Sequence, residues 1–148
     1  MTVHVERSIT LPCDAPTAWA ILTDWEEQAT WMRDADSVRV VSADRTGVGV
    51  RLAVRTRLLG IPAFTEPMEV TRWDPPRVLT IRHGGPVRGE GTWRLTEHGP
   101  SVTRFTWTED VGLAVPLLGE TAAWCYRPLM RILMGRGQAD LRRRLQAR

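Results

Sequence analysis

The chain contains no lysine and no asparagine. The first absence excludes Schiff-base chemistry on a lysine amine. It also means that the 20 strongly basic side chains are all arginine, set against 17 acidic ones, for a formal charge of +3 and a pI of about 9.6. The arginines are spread along the sequence, and Arg142-Arg143-Arg144 is the one dense run. No basic face interleaved with aromatic residues and no nucleic-acid-binding module accompanies them, so no nucleic-acid partner is expected. Most of them read as a solvated surface.

Cysteine is scarce as well. Cys13 and Cys125 lie far apart and belong to no CxxC or metal-ligand spacing. Two such residues make neither a disulfide framework nor a zinc site, and they read as small hydrophobes in a reducing compartment. No apolar run approaches the roughly 18–20 residues that a membrane span requires. The opening residues, Met1-Thr2-Val3-His4-Val5-Glu6-Arg7, lack the basic-then-apolar layout of a secretory signal. The expectation is a cytoplasmic protein with no stable membrane insertion. A nucleophile elbow, a phosphate loop and a dinucleotide fingerprint are all missing. Gly89-Glu90-Gly91 is a lone GxG inside a strand pattern, read as a bulge or a close backbone approach. Neither a cofactor nor a metal is implied.

What is present describes one ordinary globular domain over residues 1–148, with 43% hydrophobic and 25% charged residues. Val3 to Leu11 alternates apolar and polar residues, the signature of a half-buried strand that ends at Pro12. Asp14 is placed to cap a helix with Pro16 in its first turn, and Trp25 to Met32 suits a second short helix or turn. Period-two patterning then runs from Ser37 to Asp110. It is broken by turn signals at Asp44–Gly47, Leu59–Pro62, Asp74–Pro76, Gly84–Pro86 and Glu97–Pro100. These breaks delimit six further strands, the clearest of them carrying Val48, Val50, Leu52 and Val54. A helical period returns after Gly112. Ala122, Cys125, Leu129, Leu133, Gly137, Leu141 and Leu145 form one stripe of a helix over about Glu120–Leu145, kinked by Pro128 near Trp124.

The order strand, two short helices, six strands, long helix predicts an α+β fold. A seven-stranded antiparallel meander would wrap around the C-terminal helix, because such a sheet cannot close its apolar face alone. Three groups of residues carry a family resemblance. Ile9-Thr10-Leu11-Pro12 with Asp14-Ala15-Pro16 and Ala18-Trp19 forms the first. Glu69 to Arg77, a strand running into Asp74-Pro75-Pro76, forms the second. Gly89 to Leu95 with Thr103 to Glu109, the last two strands, forms the third. Together they resemble the START-like (SRPBCC) superfamily, in its polyketide cyclase/dehydrase and lipid-transport-like branch. That resemblance implies a helix-grip fold around an internal cavity. It spans nearly the whole chain and speaks to fold more than to activity.

Strand parity assigns the inner face. Leu52, Val54, Met68, Ile81, Trp93, Phe105 and Trp107 point inward, and Tyr126, Leu129 and Leu133 join them from the helix. Trp25 and Trp31 are expected near the mouth that the short helices guard in this fold. Large rigid rings with one polar edge suit a flat or polycyclic ligand. Three polar residues share that apolar surface: Glu66, His83 and Glu109. A histidine between carboxylates in an apolar pocket is a candidate acid–base group, although all three also lie near strand ends, where solvent is the ordinary environment. His4 alternates outward and His98 lies in a turn.

Three functions compete on this reading. The first is binding or carriage of a small hydrophobic molecule, a lipid or polyketide-like compound. The second is a polyketide cyclase or dehydratase in which His83 and Glu66 or Glu109 move protons. The third is a protein- or membrane-surface module acting through the apolar-basic stretch from Met130 to Arg148.

Overall fold

The computed structural model describes residues 3–113 and 119–147. Strand β1 (Val3–Leu11) leads into α1 (Ala15–Leu22), a 3-10 turn (Glu26–Thr30) and then β2 (Ala35–Val40). Strands β3 (Arg51–Leu58), β4 (Ile61–Asp74), β5 (Val78–Gly84), β6 (Val87–Gly99) and β7 (Val102–Leu113) follow, and α2 (Gly119–Gln146) closes the chain. The seven strands form one antiparallel sheet in the order β1-β7-β6-β5-β4-β3-β2. The helix-grip arrangement anticipated from the element order is the one observed, with α2 packed against β1 and β7.

Local chemistry explains the element ends. The Asp14 carboxylate caps α1 by accepting the Thr17 amide at 3.0 Å, with a proline in the first turn. The strand expected to begin at Val48 instead begins at Arg51. Gly47 and Gly49 take φ of 93° and 96°, so the extended backbone is broken on both sides of Val48, whose side chain is 67% exposed. On β4 a register shift between Val70 and Arg72 inserts one extra residue. It returns Trp73 to the face that Val70 occupies, where its ring meets Trp19 at 5.1 Å and Trp25 at 6.2 Å.

α2 is continuous across Pro128. It is tied to the sheet by polar contacts as well as apolar ones. Gln138, almost fully buried, donates to the Arg7 carbonyl at 3.0 Å. Arg127 and Arg131, one turn apart, donate to the carbonyls of His4 and Glu6 on edge strand β1, which occupies acceptors another strand would otherwise seek. Arg33 with Asp140, Arg57 with Asp36, Arg45 with Glu26 and Arg82 with Glu69 form ion pairs. Many of the arginines are thus engaged within the fold.

The helix presents a different stripe from the one expected in its first half. Cys125 is exposed, and Leu129 and Leu133 flank the interface while Tyr126, Met130 and Met134 point toward the sheet side. Two tracks of i, i+4 spacing run side by side here, offset by one residue or about 100°. Apolar side chains occupy both, so spacing alone cannot choose between them. Leu141 and Leu145, closer to the C-terminus, are buried as expected.

Candidate functional site

The concave interior divides into an aromatic core and a cavity. Trp31, Trp93, Phe105 and Trp107 pack together with ring centroids 5.7–6.4 Å apart. Trp25 and Trp31, expected at a cavity mouth, are 1% and 2% exposed and belong to the core. Trp25 is fixed there by its indole N–H, which donates to the Arg45 carbonyl at 2.8 Å. Phe105, fully buried, is core as well. Trp107 stands at the boundary and forms part of the cavity wall.

Beyond Trp107 lies a cavity of about 270 Å³, walled by Phe64, Val87, Val111, Met130 and Met134 and closed on the α2 side by Ala122 and Tyr126. Its polar residues are Asp34, Thr56, Glu66, His83 and Glu109. A smaller space of about 40 Å³ adjoins it across His83, Trp107 and Glu109, and there Leu52, Val54, Met68, Ile81 and Trp93 form the wall. Of the residues expected to face a ligand, Trp107 and Tyr126 line the main cavity and these five line its annexe. Trp25, Trp31, Phe105, Leu129 and Leu133 line neither.

The structure brings Glu66, His83 and Glu109 into one hydrogen-bonded chain. Nδ1 of His83 lies 3.2 Å from Oε1 of Glu66, and Nε2 lies 3.1 Å from Oε2 of Glu109. The indole N–H of Trp107 donates to the other Glu109 oxygen at 2.8 Å. Strand position alone would not allow this reach, since Glu109 lies on β7, two strands from His83 on β5. The intervening strand β6 has glycine at two successive inward positions, Gly89 and Gly91, paired with His83 and Ile81 respectively. Gly91 also pairs with Glu109, and a Cβ there would sit 2.6 Å from the Glu109 Oε1. The GxG sequence is therefore a close approach, of carboxylate and imidazole over bare backbone.

Burial opposes a charge on His83, but hydrogen bonds to Glu109 and Glu66 and their negative charges prevail, raising its pKa to about 10. The ring is an imidazolium at neutral pH, donating from both nitrogens. Glu66 is 2% exposed, and its Oε2 is buried with no hydrogen-bond partner among the described residues. Asp34 is the residue that pattern reading missed. It lies between the 3-10 turn and β2, where no periodicity marks a face. Burial first, then the charge of Glu109, raises its pKa to about 6. Tyr126 is raised to about 12 by burial and by Asp34 and Glu66. No group of three His, Cys, Asp or Glu among the described residues is arranged to hold a metal.

This chemistry allows two things: an apolar body packed against Met, Val, Phe and Trp side chains, and a polar end met by charged donors and acceptors. The family model described as polyketide cyclase / dehydrase and lipid transport matches residues 2–147. The chain belongs to that family. Among solved structures it is similar to TTHA0849 from Thermus thermophilus, at 21% identity over 98% of both chains with a TM-score of 0.79. It is similar also to the Zhui aromatase/cyclase from Streptomyces sp. R1128, at 17% identity over 98% of this chain and 92% of that one, TM-score 0.70. A START superfamily protein from Mycobacterium smegmatis aligns at 17% identity over 97% and 94%, TM-score 0.64. A search of curated proteins gives no match. At these identities the structural likeness establishes the fold. No helix among the described residues is long and apolar enough to cross a membrane.

Proposed function

We propose that this protein binds a small, mostly apolar molecule in the cavity under α2, with the molecule's polar end at the Glu66–His83–Glu109 cluster. The observation that carries the reading is the composition of the cavity wall: a continuous apolar lining with all its charged groups gathered around one histidine. Family membership supports it. A volume of about 270 Å³ lies just under the roughly 300–1,000 Å³ of small-molecule pockets, which favours a compact ligand over a two-chain lipid. Native mass spectrometry of the gently purified protein, followed by extraction, tests this. The expected result is a stoichiometric small apolar passenger. A clean apo mass, together with no saturable binding of compact apolar compounds, overturns it.

The same cluster favours a second reading, an acid–base enzyme of the cyclase/dehydratase type. His83, held as an imidazolium, serves there as the acid. Glu66, which lines the cavity beside it, serves as the base. In a dehydration Glu66 takes a proton from carbon, His83 gives one to the departing hydroxyl, and water leaves. His83→Ala separates the two readings: in an enzyme turnover at saturating substrate falls by about 10²-fold or more, whereas a carrier changes only in affinity. Turnover that survives the substitution removes the acid role.

A further inference from the structure

The cavity's polar corner has a sign. Asp34, Glu66 and Glu109 all line it, and His83 is the one basic side chain among the described lining residues. None of the 20 arginines is among those residues, although arginine is the usual partner for a carboxylate or phosphate group. Two glutamates around a single imidazolium leave an excess of negative charge, and Asp34 adds to it when ionised. The hydrogen bonding has the same polarity. Three of the four glutamate oxygens accept a bond, from His83 Nδ1, His83 Nε2 and the Trp107 indole N–H. The fourth, Oε2 of Glu66, is buried without a donor among the described residues. A buried acceptor in that state costs free energy until a donor reaches it.

We propose that the cavity selects molecules with an apolar body and a cationic polar end, an ammonium group, over molecules ending in a carboxylate or phosphate. The ammonium lies against Glu66 and balances the excess charge that Glu66, Glu109 and Asp34 share. This rests on the reading of the cavity as a ligand site and adds the chemical class of the ligand. Apart from the neutral Thr56 and Tyr126 the rest of the wall is apolar, so the charged corner is what discriminates between chains of equal length that differ in the charge of their end. Asp34 is faced by Glu66, His83 and Glu109 from the sheet and by Tyr126 from α2. With its pKa raised to about 6, it deepens the negative corner at pH 8 and relaxes it at pH 5, so the preference narrows as the pH falls.

The test is calorimetric titration at pH 8 of three probes of matched length: octylammonium, octan-1-ol and octanoate. Octylammonium is expected to bind at least about tenfold more tightly than octanoate, a free-energy difference of about 1.4 kcal/mol, with the alcohol between them. Glu66→Gln, of equal shape, is expected to weaken octylammonium by about tenfold while changing octan-1-ol less than about twofold. Asp34→Asn provides an independent variant should Glu66→Gln fold poorly, and it is expected to reduce the amine preference in the same direction. Octanoate binding as tightly as octylammonium overturns the charge preference and leaves the cavity reading standing. Amine binding that Glu66→Gln and Asp34→Asn leave unchanged also overturns it. Binding of none of the three overturns both.

Discussion

Nε2 of His83 lies 3.1 Å from Oε2 of Glu109 although the two residues sit two strands apart. The contact exists because the strand between them carries glycine at the two inward positions beside these residues, Gly89 and Gly91. It joins the far strand to Glu66 on the near side and fixes a cation between two carboxylates inside an otherwise apolar space.

Removing the cation leaves Glu66 and Glu109 facing each other without compensation. His83→Gln is expected to destabilise the protein by about 3 kcal/mol at pH 8, the scale of a broken buried pair. Urea unfolding of His83→Gln and of the double variant His83→Gln/Glu109→Gln measures this: the loss should shrink when one of the two facing carboxylates is also removed, and an equal loss in both would point to packing instead of charge.

The raised pKa values of Asp34 and His83 each make stability fall as pH rises. The Asp34 contribution is complete below its unfolded value near 3.8 and is lost as the pH passes about 6. The His83 contribution is complete below about 6.5 and is lost as the pH rises through about 10. Unfolding free energy is therefore expected to decline in two steps, across pH 4–6 and pH 6.5–10. Asp34→Asn should flatten the first step and His83→Gln the second, with a urea series from pH 4 to pH 10.5 as the readout.

Gly91→Ala would place a methyl group 2.6 Å from the Glu109 carboxylate oxygen. The carboxylate must move, and the bonds to His83 and Trp107 lengthen. The expected result is destabilisation of about 1–3 kcal/mol and a fall in the His83 pKa, followed by NMR titration of the imidazole carbons. An unchanged His83 titration would show that Glu109 has another seat.

Strand parity made Glu66, His83 and Glu109 legible as inward-facing residues, because a period of two leaves only two choices and the apolar neighbours decide between them. It gave no distance between them. The glycines that permit the contact read only as a weakness in a strand, and recognising their use requires the register that pairs Gly91 with Glu109. Asp34 was silent for a different reason: a residue in a short connection has no pattern to belong to. Trp25 and Trp31 lie in the core and not at a mouth, a difference the sequence pattern does not reveal because aromatic rings serve core and cavity equally well. Their packing against Trp73 and Trp93 is a property of the assembled interior. On α2, leucines outweighed methionines in the reading of the stripe, while the flexible methionines are the side chains that border the unfilled space.

That last difference is measurable. Met134 is 3% exposed, whereas Trp124 is 54% exposed. Met134→Ala is expected to cost about 2 kcal/mol or more. Trp124→Ala, which removes only a surface ring stacked near Arg127, is expected to stay within about 0.5 kcal/mol. Reversal of that order would place the Trp124 side of the helix against the sheet.

The most direct test of the account is NMR of the methionine methyl groups during titration with 2-naphthol, a compact aromatic probe with one polar end. Met130 and Met134 line the main cavity, while Met32 and Met68 border the annexe. Ring-current shifts that saturate at Met130 and Met134, and that vanish in a Met130→Trp variant retaining its circular dichroism, are the predicted result. An absence of saturable shifts at both residues, or shifts that persist in Met130→Trp, would contradict the claim that the space under α2 is where this protein holds its ligand.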